Sequence, residues 1–201
     1  MQKKILSIRT LLIVGCIGLI IFLTLTSTNK QKNVLVINPV SLTANSAIIG
    51  KDVSLPARLK IPSLKVDSPI EYVGVNTNGA MDVPKQANDV AWFNLGPRPG
   101  EIGSAVIDGH SGYKNNIPAV FDNLYKLKVG DKVYVENTNG ATLTFVIREI
   151  KSYNPKANAL AVFNSNDGLS HLNLITCSGD WNTSEKTHSQ RLIIFTDRVV
   201  E

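Results

Sequence analysis

Among the side chains that could act as a nucleophile, Cys177 offers the most chemistry. The chain has two cysteines, and the other, Cys16, lies inside an uncharged apolar run near the N-terminus. If that run spans a membrane, the two cysteines occupy different phases and cannot pair. Cys177 is then an unpaired thiol in an oxidising compartment, which points either to a reactive role or to burial as a small hydrophobe. A thiol reacts as its thiolate and is mostly protonated at neutral pH, so a histidine or another positive charge must assist it. There are three histidines. His110 closes the run Ser104-Ala105-Val106-Ile107-Asp108-Gly109-His110, where a strand ends at a glycine and a side chain can stand on a rigid support. His171 precedes Cys177 by six residues of extended chain, about 20 Å, beyond hydrogen-bond reach, and reads as a surface residue. His188 lies in the polar segment 185–190, which reads as a mobile loop. Arg191 opens an apolar run, Arg191-Leu192-Ile193-Ile194-Phe195. Its charge is either a solvated strand end or a partner that holds a thiolate and donates to an oxyanion or a peptide carbonyl.

The elements that must position these residues are mostly strands. From residue 57 onward, short β-favouring runs alternate with turn formers, and helical periodicity is scarce. Strands are predicted at 58–61, 70–75, 104–107, 132–137, 142–153, 172–177 and 191–197. Asn137-Thr138-Asn139-Gly140 joins two alternating runs as a hairpin, with Asn-Gly supplying positive dihedrals. Short helices are predicted at 118–124 and 157–163. Many short strands with few helices favour a closed barrel, which leaves no exposed edges. Along 172–177, alternation sends Leu172, Leu174 and Thr176 to one face and Asn173, Ile175 and Cys177 to the other. The leucines should take the core, which leaves Cys177 facing a groove where Ser178-Gly179-Asp180 ends the strand.

The N-terminal quarter has a different character. Residues 11–28 carry no charge and lie between Lys3, Lys4 and Arg9 on one side and Lys30 and Lys32 on the other. As a helix they reach about 27 Å, enough for a short transmembrane span. No small-x-small pair follows the run, which favours an uncleaved signal anchor over a cleaved leader. The excess of positive charge on the N-terminal side keeps residues 1–10 in the cytoplasm and puts the rest outside the cell. Residues 29–54 then form an extracellular tether, and 55–201 a catalytic domain. Residues 1–54 hold six basic side chains against one acid, whereas 55–201 hold 15 of each. A domain without net charge offers no field for collecting phosphates, so a nucleic-acid partner is not expected. The loops after His110 have no acidic cluster with calcium-ligand spacing, since Asp122 stands alone, and neither a metal nor another cofactor is expected.

Taken together, these residues resemble a known family. Asn173-Leu174-Ile175-Thr176-Cys177 is similar to the sortase signature Thr-Leu-x-Thr-Cys, with Gly109-His110 upstream and Arg191 downstream in the family's order. Residues 92–110, 118–130 and 177–180 resemble the class F branch in particular, and the likeness runs over 57–197. The resemblance implies an eight-stranded β-barrel with short helices behind an N-terminal transmembrane helix. It also implies cleavage of a Leu-Pro-x-Thr-Gly sorting signal between Thr and Gly. By that analogy Cys177 attacks the Thr carbonyl, His110 gives the proton to the leaving amine, and Arg191 steadies substrate and oxyanion. Thr176 and Ser178, which flank the nucleophile, would contact the substrate. The implied partners are surface proteins bearing the signal and an amine of a cell-wall precursor or pilin. Asn173 stands where the signature begins with Thr, and Ser178 where class F often has glycine. Both departures bear on substrate preference and leave the reacting groups intact. A thiol hydrolase built on the same residues, and a tethered binding domain with an inert Cys177, are the alternatives.

Overall fold

A computed structural model describes residues 54–112 and 117–200. The predicted span at 11–28, Cys16 and all but the last residue of the predicted tether lie outside the described residues. Eight strands make the fold: β1 (Pro56–Ile61), β2 (Val66–Val73), β3 (Val90–Phe93), β4 (Gly103–Gly109), β5 (Lys132–Asn137), β6 (Thr142–Tyr153), β7 (Ser170–Asn182) and β8 (Thr187–Val199). They close into a barrel in the order β1-β2-β3-β4-β7-β8-β6-β5, with β5 returning to β1. Two of the pairings, β2 with β3 and β4 with β7, are parallel.

The alternation on β7 sorts as expected. Leu172 and Leu174 point inward and join Leu59, Val133, Phe145 and Ile194 in the main core, whereas Ile175 packs with a second cluster outside the barrel wall. That cluster, Val106, Val162, Ile193 and Phe195, is roofed by a single helical turn, α1 (Leu160–Phe163). β4 is therefore covered on both faces. This is why its sequence is a nearly unbroken apolar run, and every residue of it except Asp108 is buried.

Several local expectations need correction. β5 and β6 keep their predicted bounds, but their hairpin uses only one positive dihedral, at Gly140 (φ 81°). Asn139 instead turns its side chain to accept from the Ala141 N–H at 3.0 Å. The geometry is that of a longer loop with glycine in the left-handed position. β3 was not anticipated, because four apolar residues buried on both sides show no alternation to read. The helix expected at 118–124 is a series of turns followed by a 3-10 turn at Leu124–Lys126. Its amides are committed elsewhere, Val120 N–H to the Ala87 carbonyl and Phe121 N–H to the His110 carbonyl, both at 2.9 Å. The second helix, expected from 157, begins only at Leu160.

The hairpin of β7 and β8 departs most from expectation. β7 does not end at Ser178 but runs on to Asn182, and β8 begins at Thr187, so the segment expected to be a mobile loop is largely strand. His188 pairs with Trp181 across this hairpin and meets its ring edge-on at 5.2 Å. His171 is a core residue, 2% exposed, and not a surface one. Its Nδ1 lies 2.7 Å from Asp197 Oδ1 and its Nε2 2.9 Å from Asp167 Oδ2.

Candidate active site

The barrel wall brings three distant parts of the chain side by side. Cys177 on β7 is the register partner of Arg191 on β8, so their side chains share one face. On its other side β7 runs parallel to β4, with Asp108 opposite Ile175. Two further steps in the same register set His110 opposite Cys177. Hydroxyls carry the alignment across those steps, where backbone pairing has stopped. Thr176 Oγ1 donates to the Gly109 carbonyl at 2.7 Å, and the Ser111 hydroxyl donates to the Cys177 carbonyl. His110, just past the end of β4, thus forms one row with Cys177 on β7 and Arg191 on β8, with all three lining the same cavity of about 630 Å³.

Each member of the row is held locally. Gly109 must be glycine, because an added Cβ would collide with the ring of Phe121. Phe121 packs there and, through its N–H, fixes the His110 carbonyl. Asp122 binds the two flanks of this corner together, accepting from Gly112 N–H at 2.7 Å and from Ala119 N–H at 2.9 Å. The His110 ring donates from Nε2 to the Pro84 carbonyl at 2.7 Å, which leaves Nδ1 without a proton to give in the neutral ring. Arg191 is braced at the root of the hairpin. Its Nη1 donates to the carbonyls of Gln190 (3.0 Å) and His188 (3.2 Å), and its Nη2 to Thr187 Oγ1 at 3.0 Å. Immediately after Cys177 the β7–β8 register shifts between Ser178 and Trp181, with Gly179 at φ 76°. Such a bulge bends a strand and re-aims its side chains, and here it follows Cys177 directly.

The electrostatics favour a resting thiol. Burial pushes the Cys177 thiol above its ordinary value, the positive charge of Arg191 opposes this, and the carboxylate of Asp108 reinforces it. Asp108 itself is raised to about 6, first by burial, with His110, the Gly109 N–H and Arg191 pulling the other way.

Of the five residues named from the sequence, three meet in the cavity. Thr176 faces away from it, 2% exposed, and serves as the strap to Gly109. Ser178 follows Cys177 at the start of the bulge, and its buried hydroxyl has no partner among the described residues. His171 and His188 do not line the cavity. Sequence reasoning missed Asp108, Ser111 and Pro84. Asp108 carried a readable signal: an acid inside an apolar strand, at the same parity as His110. The remaining walls come from two connections, residues 75–83 between β2 and β3, and 154–163 between β6 and β7, and they are largely apolar, with Met81, Leu160 and Phe163 among them.

A sortase-domain family model matches residues 59–199. Among solved structures, sortase C-1 from Actinomyces oris is 25% identical, with a TM-score of 0.57, covering 82% of this chain and 86% of that one. Sortase C1 from Streptococcus agalactiae, in its complex with MTSET, is 25% identical with a TM-score of 0.57, covering 74% and 72%. Sortase A from Corynebacterium diphtheriae, at 24% identity and a TM-score of 0.56, shares the fold; the match covers 73% of this chain and 61% of that one, less than two thirds of its length. No curated protein sequence matches the chain. A family match over most of the chain, joined to a closed eight-stranded barrel with a histidine, a cysteine and an arginine in one row, makes this chain a member of the sortase family.

Proposed function

We propose that this chain is a cysteine transpeptidase of the class F type. It cleaves a Leu-Pro-x-Thr-Gly sorting signal between Thr and Gly and passes the acyl group to an amine of a cell-wall precursor or pilin. Cys177 passes its thiol proton to His110 as it attacks the Thr carbonyl, the amine of Gly leaves with that proton as the thioester forms, and the incoming amine then displaces the thiol, giving up a proton to it by way of His110. Arg191 donates to the oxyanion and to substrate carbonyls, Thr176 holds the strand of the nucleophile against Gly109 from the core side, and Ser178 stands beside the nucleophile at the start of the bulge. The enzyme works outside the cell, held by an anchor at residues 11–28, on surface proteins that carry the signal.

The observation that carries this reading is the register that sets Cys177 between His110 and Arg191 at the floor of one groove. A cysteine kept only for packing needs neither neighbour. The test is a Leu-Pro-x-Thr-Gly peptide incubated with and without oligoglycine. Ligated product from the native chain, and none from Cys177→Ala at unchanged melting temperature, is the expected result. Cleavage that releases only the free acid in the presence of oligoglycine would make the chain a thiol hydrolase, and full activity in Cys177→Ala would remove the nucleophile assignment.

A further inference from the structure

The groove floor is organised in rows, and the second row holds an acid that the catalytic row does not use. One two-residue step back from His110, Cys177 and Arg191, about 7 Å along the strands, stand Asp108, Ile175 and Ile193. The third row, Val106, Asn173 and Phe195, is closed off by α1, with Asn173 Nδ2 donating to the Val162 carbonyl at 2.6 Å. The second row is therefore the last one open to a bound molecule. Asp108 is the one carboxylate among the described residues that line the cavity. The groups that face it are few. The Gly109 N–H donates to it, and the titratable groups that line the cavity with it are His110 just past the end of its own strand, Cys177 on β7, Arg191 on β8 and Tyr153 on β6. Its register partner on β3 is Ala91, and α1 carries no titratable side chain. A carboxylate with so few donors in an apolar-walled groove lacks most of the partners it would have in water.

We propose that Asp108 is a charge gate on Cys177. While its carboxylate is free, it opposes thiolate formation one row away; a peptide that brings a backbone N–H, a hydroxyl or an ammonium onto the second row donates to it and lifts that opposition as it binds. The peptide half of this inference rests on the transpeptidase reading, whereas the gate itself concerns the free chain. The consequence is a nucleophile that rests as an unreactive thiol and is armed by substrate. A purely aliphatic side chain over the second row would bury the carboxylate unpaired, so peptides with a donor there are preferred.

The test measures iodoacetamide alkylation of Cys177 in the full chain in detergent, from pH 5 to 9 without peptide, with mass spectrometry separating it from Cys16. The Asp108 carboxyl, raised to about 6, is ionised above that pH. Asp108→Asn should therefore react faster than the native chain by roughly three- to thirtyfold at pH 8, and the two curves should converge at pH 5. Asp108→Ala should move in the same direction, which guards against a bond peculiar to asparagine. Superimposed curves in both variants would overturn the gate. With a Leu-Pro-x-Thr-Gly peptide, Asp108→Asn should raise KM by about tenfold or more at little changed kcat, the loss of a charge-assisted bond; an unchanged KM would overturn the peptide half. An alkylation gap in a chain that cleaves no such peptide would support the gate and overturn the peptide half together with the transpeptidase reading.

Discussion

Replacing Arg191 by lysine and by alanine separates what its charge does from what its shape does. Cys177 and Arg191 are register partners, so their Cβ atoms begin about 5 Å apart. A guanidinium charge roughly 8 Å from the sulfur, at an effective dielectric near 20, is worth about 2 kcal/mol to the thiolate, roughly thirtyfold in its population at fixed pH. The direction is already visible in the protein, where Arg191 is the group that opposes the upward push of burial on the thiol. Arg191→Ala should accordingly alkylate about thirtyfold more slowly at pH 7.5, and Arg191→Lys, which keeps the charge, within about threefold of native. Peptide cleavage should not show that rescue. Lysine lacks the planar fork that binds two carbonyls and the Thr187 hydroxyl while presenting its remaining donors to the groove. Both variants should lose about two to three powers of ten in turnover, the usual effect of removing an oxyanion donor. The three lost hydrogen bonds lie at a half-exposed hairpin root and cost about 1–2 kcal/mol, lowering Tm by roughly 2–8 °C. Alkylation of Arg191→Ala at the native rate would refute the electrostatic argument, and normal turnover in Arg191→Lys would refute the directional one.

Three further substitutions test the supports. His171→Ala removes a buried ring that ties Asp167, at the end of the groove-lining connection, to Asp197 on β8; Tm should fall by roughly 5–10 °C, and an unchanged melting curve would show that the contacts contribute nothing. Asp167→Asn should also lower Tm, and with a defined pH dependence. The Leu169 N–H, the Ser165 hydroxyl and His171 hold the Asp167 carboxyl well below the usual carboxylate range, so its contribution is present in full above about pH 4 and is lost as pH falls below that. The Tm difference between Asp167→Asn and native should shrink in acid, and a constant difference would exclude the linkage. Gly109→Ala forces Phe121 aside and with it the residue that fixes the His110 backbone; cleavage should drop by at least about tenfold while Cys177 stays open to alkylation, and normal cleavage would show that this corner does not position the histidine.

Local chemistry told most where it was self-contained. The runs around Tyr134 and Phe145 alternate cleanly, face one core and meet at a glycine turn, and their bounds were readable to the residue. The parity of Cys177 against Leu172 and Leu174 was readable for the same reason. What the sequence hid depends on partners far along the chain. His171 is buried because Asp197, 26 residues away, and Asp167, four residues before it, both reach its ring, and neither contact follows from strand periodicity. The turns at 118–124 look helical by composition, but their amides are taken by Ala87 and His110. The long β7–β8 hairpin was obscured by a polar tip whose residues pair with each other rather than with the core.

The parallel pairing of β4 with β7 has a kinetic consequence. Asp108 and Ile175 are 67 positions apart, and no hairpin can bring them together. A chain could form β5 with β6, and β7 with β8, from contacts local in sequence, and yet hold a cysteine with no histidine beside it. Non-local pairings of this kind close late, because the entropy of the intervening loop must be lost before they contribute. The row of His110, Cys177 and Arg191 comes into being only when this long-range seam of the barrel is sewn, so a chain folded through its local hairpins alone carries the proposed nucleophile without its proposed proton donor.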